Sequence, residues 1–308
     1  MFKYILKRIA MSFVTIFVII TLTFFLMHAV PGNPLQQEGK IPPSVYQNLS
    51  VRYGLDKPLS EQYKIYLKNI AHFDFGESMK SKTETVNDMI KRGFPVSVRL
   101  GAQALVIALI IGPILGALAA LYQNKAPDYL AMMFAVIGIS VPSFIMGTLL
   151  IHFIAKGGAF PISGWGTFSH TVLPSIALSL MPTAQIARLM RSSMLEVLGQ
   201  DYMKTAKSKG LSKLTVVCRH AVRNSLLPIV STLGTVASNL LMGSFVIERI
   251  FGIPGLGRFF VKSITDRDYT LIMGTTVFYG IVLVFMILLV DIAYVLVDPR
   301  INITGGEN

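Results

Sequence analysis

Six long apolar runs constrain this chain more than any other feature of its sequence. A helix needs about 20 mostly apolar residues to cross the hydrocarbon core of a membrane. The runs that reach this length are roughly 9–30, 99–122, 130–154, 171–190, 228–247 and 274–297. Because backbone groups inside a membrane must bond to one another, such runs form helices. The sequence therefore predicts an all-α integral membrane protein with six transmembrane helices.

The composition agrees with a membrane location. Hydrophobic residues make up 53% of the chain and charged residues only 14%, whereas soluble domains average about 25% charged residues. The net charge of +12 would suggest a nucleic-acid partner in a soluble protein. Here lysine and arginine flank membrane segments, and no nucleic-acid partner is expected. The single cysteine, Cys218, excludes an internal disulfide framework.

The distribution of lysine and arginine predicts the orientation. If the N-terminus lies inside the cell, the inner segments carry 13 of these residues and the short outer loops carry 5. This excess places both termini in the cytoplasm, including the tail 299–308. Residues 1–30 then form a short cytoplasmic start and a first transmembrane helix. Its apolar run is longer than the core of a cleaved signal peptide.

The connection 31–97 is predicted to be a partly helical loop on the outer surface. Pro58 opens a stretch whose apolar residues fall on one helical face. A second helix contains Val86, Met89 and Ile90 and is expected to end at Gly93. The loop either packs on the transmembrane helices or contacts an external partner, and the pattern leaves both alternatives open.

The chain lacks the sequence marks of an enzyme or of an ion-coupled transporter. Ionisable side chains are nearly absent between the ends of the six runs, where proton or ion relays would lie. Neither the phosphate-binding pattern G-x-x-x-x-G-K-[ST] nor the nucleophile pattern G-x-S-x-G occurs. His and Cys also lack metal-ligand spacing. We therefore expect no catalytic residue, no metal site and no energy source within this chain.

A basic loop, residues 191–227, interrupts the apolar runs of the second half. Its pattern predicts two helices hinged at Gly210: the first continues from Leu195 into Lys209, and Ser212 caps the second. In that second helix an apolar stripe comprises Leu214, Val217, Cys218, Ala221 and Val222. Such a helix can dock in a groove of a partner protein or rest on anionic lipid. The pattern alone does not separate these two interpretations.

Several motifs resemble one family along nearly the whole chain. The basic loop contains DYMKTAKSKGL and RHAVRNSLLP, and the earlier part of the chain contains PGNP, YGLDKPLSEQY and FGES. GSFVIERIFGIPGLG, RDYT and VDPRI follow towards the C-terminus. Together they resemble the inner-membrane permeases of binding-protein-dependent ABC importers, in the oligopeptide/dipeptide/nickel branch, and within it the B-type subunit. The resemblance implies the type I importer permease fold, with its core at 98–298.

In that family the basic loop is a coupling loop that docks on an ATPase subunit. Lys204 stands where the wider family has Glu, and the interval from Gly210 to Pro228 is 18 residues, as in the peptide branch. The resemblance assigns the coupling contact to these residues: Asp201, Tyr202, Lys204, Thr205, Ala206, Gly210, Leu211, Asn224 and Pro228.

The resemblance also implies partners and a function. It predicts pairing with a second, homologous permease subunit, two ATPase subunits that hold ATP and Mg²⁺, and an extracellular or lipid-anchored substrate-binding protein. This chain would bind no cofactor itself and would form half of a pathway for oligopeptides across a bacterial inner membrane. Nickel, glutathione or another small solute is the alternative cargo. A lipid-binding scaffold or a membrane enzyme is the remote alternative.

The segment 248–260 is apolar for a connection on the outer side. It either packs as a turn on the transmembrane helices or acts as an external gate or docking loop. The residues that would carry the second role are Glu248, Phe251, Pro254, Gly255 and Gly257.

Overall fold

The computed structural model describes residues 2–31, 35, 42–81 and 83–297. Most of the PGNP motif, the VDPRI motif beyond Val297 and the tail 299–308 lie outside the described residues. In the first half the helices are α1 (Phe2–Ala29), α2 (Pro43–Arg52), α3 (Leu59–Ala71), α4 (Val86–Leu121), α5 (Ala126–Ser140) and α6 (Ser143–Phe153). In the second half they are α7 (Ser169–Leu198), α8 (Asp201–Ser208), α9 (Lys213–Thr215), α10 (Arg223–Ser225), α11 (Leu227–Ile250), α12 (Leu256–Asp266) and α13 (Tyr269–Val297).

This architecture confirms the predicted all-α fold, with one difference in the third apolar run. Five described helices are individually long and apolar enough to cross a membrane: α1, α4, α7, α11 and α13. The third run is instead broken into α5 and α6, which meet at 109°. The break has a local cause, because Pro142 forces Val141 into an extended conformation with ψ of 119°. The described residues thus contain five helices that can each span a membrane, and a sixth span if the bent pair α5 and α6 counts as one.

Prolines do not break the fourth run. Pro174 and Pro182 both lie inside α7, which continues from Ser169 to Leu198. Neighbouring helices and hydroxyl side chains can satisfy the backbone groups that proline frees in a membrane helix. Helix α7 is thus a long continuous rod.

The chain divides into two compact units, and the first comprises residues 1–96 and 254–308. Within it α1 packs along α13, where a side chain at Gly280 would lie 3.0 Å from Ile19. An ion pair of 3.0 Å between Arg8 and Asp291 joins the same two helices. Helix α3 closes over the end of α1, with the ring of Tyr63 centred 5.2 Å from that of Phe24.

The start of α4 corrects the prediction that a helix closes at Gly93. The cap is built by Thr85, whose hydroxyl accepts the backbone N–H of Asp88 at 3.2 Å and donates to its carboxylate at 2.7 Å. From Val86 the helix then continues through Gly93 into the second apolar run. A Cβ at Gly93 would lie 2.8 Å from the backbone of Leu256. Gly93 therefore allows close backbone packing and does not end the helix.

The second unit comprises residues 97–253, and α7 is its centre. Of the most apolar window of α7, 61% is buried, whereas the corresponding window of α1 is 11% buried. Small residues bring the neighbouring helices close to α7. A Cβ at Gly116 of α4 would clash with the carbonyl oxygen of Ala187, and one at Gly138 of α5 would lie 3.0 Å from Ala184. The basic loop continues directly from the end of this central helix.

Candidate functional site

The first half of the basic loop is α8, which is separated from α7 by a tight turn. Helix α7 ends at Gly199, whose N–H donates to the carbonyl of Glu196 at 3.2 Å. The sequence pattern had suggested one continuous helix up to Lys209, and this break corrects it. Asp201 starts α8, where a carboxylate favours the positive end of the helix dipole.

The predicted hinge is present at Gly210. Helix α8 ends at Ser208, and Gly210 has a φ of +75°, the left-handed region that favours glycine. No atom lies within 4 Å of the position of a Cβ there. The left-handed backbone therefore accounts for a glycine at this position, and the space beside it is open.

The second half of the loop begins with the predicted cap and then departs from the predicted helix. The Ser212 hydroxyl accepts the N–H of Thr215 at 3.2 Å. After α9 the chain forms a π-helix from Val216 to Val222. Its wider turn changes the buried face, so that Val216, Ala221 and Ser225 are buried.

The predicted α-helical stripe is therefore wrong in part. The five residues do not share one face, because Ala221 is buried, whereas Leu214 is 74% exposed and Cys218 is also exposed. Short π-helical segments within helices occur frequently at functional sites.

The two halves of the loop are held together by packing and by a hydrogen bond. The side-chain amide of Asn224 donates to the hydroxyl of Tyr202 at 3.1 Å. Behind this contact Met203 and Ala206 are buried in an apolar cluster that includes Met190, Met194 and Val216. Leu227 and Pro228 then start α11.

The predicted coupling residues consequently fall into two groups. Ala206, at 7% exposure, lies inside the apolar cluster and supports the loop. The others that the fold leaves exposed are Asp201, Tyr202, Lys204, Thr205, Gly210, Leu211 and Asn224. Among them Lys204 forms an ion pair of 2.8 Å with Asp201. Tyr202 and Leu211, together with Leu214, expose apolar side chains beside the hinge. Met203 went unnoticed in the sequence because its neighbour Tyr202 fitted the helical period.

A second feature near this end of α7 was missed in the sequence altogether. Asp128, in the first turn of α5, accepts two hydrogen bonds from the guanidinium of Arg191 on α7, at 2.6 and 2.7 Å. The backbone N–H of Asn124 donates to the same carboxylate at 2.9 Å. Asp128 is 3% exposed and Arg191 26% exposed. In the sequence Arg191 counted only as a positive residue that fixes the orientation.

Of the five residues proposed for a gate or docking loop in the segment 248–260, four are buried and Pro254 is half-buried, which agrees with the packed turn that was the other alternative. In the second unit, Glu248 lies in the last turn of α11 and is fully buried, and Phe251 is 1% exposed. The carbonyl of Phe251 accepts the N–H of Gly164 at 2.9 Å. In the first unit, Gly255 caps α12, and Gly255 and Gly257 are both buried. These residues do not form an exposed docking surface in this structure, and the gate stays a prediction.

The geometry defines a class of protein: an all-helical membrane protein with a buried central helix that leads into a structured, exposed basic loop. Comparison with known proteins identifies the family. The chain belongs to the binding-protein-dependent transport system inner membrane components, whose family profile matches residues 112–303. The N-terminal profile of the same systems matches residues 1–101.

Relatives of nearly equal length agree with this assignment. The dipeptide transport system permease protein of Bacillus subtilis is 53% identical over 98% of this chain and 99% of the relative. The dipeptide transport system permease protein of Lactococcus lactis is 45% identical, with 98% of this chain and 100% of the relative covered. The oligopeptide transport system permease protein of Haemophilus influenzae is 41% identical, with the same coverage.

One solved structure supports the fold. An amino acid ABC transporter, crystallised with histidines, matches with a TM-score of 0.53 at 16% identity. The match covers 67% of this chain and 92% of that chain. At this identity the likeness concerns the fold alone. Fold and family together establish a permease component of the bacterial inner membrane, as the sequence motifs predicted.

Proposed function

We propose that this chain is one permease subunit of an ATP-driven importer of peptides and forms half of the transmembrane pathway. The observation that carries the proposal is the identity of 41–53% to dipeptide and oligopeptide permeases over almost the full length of both chains. These relatives favour peptides over nickel or glutathione as the cargo. Family membership favours transport over the scaffold or enzyme alternative.

In this proposal the basic loop lies in the cytoplasm and contacts an ATPase subunit. Its support is the exposed surface around the hinge, formed by Tyr202, Leu211 and Leu214. Exposed aromatic and aliphatic side chains on a structured loop are suited to burial against a partner. The open space beside Gly210 allows a partner to approach the backbone closely.

The remaining coupling residues have distinct proposed roles. Asn224 and Ala206 hold the loop in shape, one by its bond to Tyr202 and the other by burial. Pro228 fixes the start of α11, since its ring sets φ for the first turn of a helix. Asp201, Lys204 and Thr205 lie on the exposed face of α8, where polar contacts to the partner would form.

The proposed assembly contains three other kinds of subunit. A second, homologous permease completes the pathway, two ATPase subunits bind ATP and Mg²⁺, and a substrate-binding protein delivers the peptide from outside. ATP hydrolysis therefore takes place on other chains. Closure of the ATPase subunits would displace α8, and α7 would transmit the displacement into the membrane because it continues to the start of the loop.

The test uses Gly210 in the complete complex, reconstituted in vesicles with its binding protein. Gly210→Glu should abolish peptide uptake and peptide-stimulated ATP hydrolysis, because a long charged side chain would fill the space that the partner needs. Gly210→Asn is the matched control, since Asn tolerates the left-handed region at small cost. We expect this control to retain at least about a fifth of the uptake, because backbone strain alone costs about 1 kcal/mol or less for Asn.

Uptake and ATP hydrolysis that are unchanged in Gly210→Glu would refute the proposed coupling role. Equal losses in the two variants would point to backbone strain instead of a partner contact. Recovery of each variant in the membrane fraction and its co-purification with the second permease are measured in parallel. If the unmodified complex takes up no peptide, the cargo proposal is wrong whatever the variants do.

A further inference from the structure

An ion pair between buried Asp128 and half-buried Arg191 links α5 to the central helix α7. The Asp128 carboxylate accepts both hydrogen bonds of the Arg191 guanidinium, in the fork geometry that makes such pairs strong and directional. The third bond, from the N–H of Asn124, fixes the carboxylate relative to the start of α5. The pair therefore sets both the distance and the rotation between two helices.

The position of Arg191 along α7 matters for transmission. Arg191 is the first residue of the basic loop, and from it α7 continues without a break to Leu198, about 10 Å of helix before the turn that leads into α8. Helix α4 also packs closely here, because a Cβ at Gly116 would lie 3.0 Å from the backbone nitrogen of Arg191. The same turn of α7 is thus packed tightly against α4 and bonded to α5.

We propose that Asp128 and Arg191 are positioning residues of the transport cycle: their ion pair makes α5 and α7 move as one body when the basic loop is displaced. This inference rests on the proposed function, because it assumes that an ATPase displaces the loop. It adds a specific route by which motion of α7 reaches another part of the membrane region, because α5 is the first helix of the bent pair α5 and α6. Motion of α7 would then reorient the bent pair.

A purely structural role is the alternative. Burial of Asp128 carries a desolvation cost that an apolar pair in the same place would avoid. The forked ion pair, however, fixes the rotation of α5 relative to α7, which nonpolar contacts do less well. A structural role predicts changes in assembly, whereas a positioning role predicts changes in the amount of uptake per ATP hydrolysed.

The first experiment measures this ratio in the reconstituted complex. We expect Asp128→Asn to lower peptide uptake per ATP hydrolysed by about tenfold, because loss of a buried charge partner shifts conformational populations by at least that factor. ATP hydrolysis should stay within about twofold of the original complex. Arg191→Lys should give an intermediate ratio, since lysine cannot form the fork. Glu61→Gln, which removes the exposed Lys57–Glu61 pair, is the matched control and should change neither quantity.

The exchanged variant Asp128→Arg with Arg191→Asp separates the charge pair from either residue alone. It should recover part of the coupling ratio, although the bond from Asn124 is lost. An unchanged ratio in Asp128→Asn would overturn the proposal. The proposal would also be overturned if the single variants fail to assemble and the exchanged variant does not restore assembly. The ion pair would then serve folding alone.

A cross-link tests whether the two helices move together. Asp128→Cys and Arg191→Cys are introduced with Cys218→Ser, because Cys218 is exposed and would react. Joining the two thiols with a short reducible cross-linker should raise the coupling ratio of the double-cysteine complex. Loss of uptake on cross-linking, with recovery on reduction, would show that the helices must separate during the cycle. That result would overturn the inference and leave the proposed function intact, whereas absence of ATP-dependent uptake in the original complex would refute the proposed function itself.

Discussion

The basic loop and the segment 248–253 both lie in the second unit, but the first is largely exposed and the second is largely buried. The basic loop exposes Tyr202 and Leu211 and leaves open space beside Gly210. The other segment buries Phe251 and Ile253. Its glycine, Gly252, also has a positive φ, of 63°, but a Cβ there would lie 3.5 Å from Ser163.

This contrast shows that the same sequence signal, a turn glycine among apolar residues, has two physical meanings. At Gly252 the turn lets apolar neighbours reach the interior, where they contribute to stability. At Gly210 the turn leaves apolar neighbours on the surface, where a partner can cover them. Substitutions in the segment 248–253 should therefore mainly lower the stability, whereas substitutions in the basic loop should mainly lower the uptake per ATP hydrolysed.

The largest effect is expected at Phe251. Phe251→Ala should lower the free energy of unfolding by about 3–5 kcal/mol, because it leaves a cavity beside Gly147. Thermal denaturation of the purified complex in detergent measures this. Phe153→Ala is the control, since Phe153 is 74% exposed and should cost much less. A stable Phe251→Ala complex with lower uptake would favour the gate that the sequence suggested and would break the contrast.

How much the sequence predicts follows the range of the interactions. The end of α8, the left-handed Gly210 and the Ser212 cap depend on neighbours within a few residues, and all three were predicted. The broken third run has a local cause as well, because Pro142 disturbs the residue before it.

Long-range contacts account for what the sequence does not reveal. Asp128 and Arg191 are 63 residues apart, and nothing in either neighbourhood marks them as partners. Gly93 resembles a helix end by its type and is in fact a contact with the backbone of Leu256. The π-helix also has no local mark, because its register depends on the packing of Val216 and Ala221 in the cluster below α8.

An intermediate effect is expected at Tyr202. Tyr202→Phe removes the acceptor of the Asn224 amide, which should destabilise the closed loop by about 0.5–1 kcal/mol. Local opening should then make trypsin cleavage at Lys204 and Lys209 about two to five times faster. Tyr129→Phe is the control, because Tyr129 is 66% exposed and lies outside the loop. An unchanged cleavage rate would mean that burial of Met203 and Ala206 alone holds the two halves together.

The smallest effect on stability is expected at Lys204. Its ion pair with Asp201 joins side chains that are 73% and 94% exposed. Exposed pairs on one helix contribute about 0.5 kcal/mol or less, so Lys204→Ala should leave thermal denaturation of the complex unchanged within that limit. The same measurement on Asp201→Asn serves as the reciprocal control.

Transport by the Lys204 variant then decides what the residue does. Reduced uptake per ATP hydrolysed, at unchanged stability, would place Lys204 in the contact with the ATPase, because its partner Asp201 on the same helix is itself exposed. Unchanged uptake would assign the contact to Tyr202, Leu211 and the hinge. A loss of stability above about 1 kcal/mol would contradict the proposed surface position, because an exposed pair cannot supply that much. The exposed and buried positions would then have to be distinguished residue by residue within α8, because the basic loop could not be treated as exposed throughout.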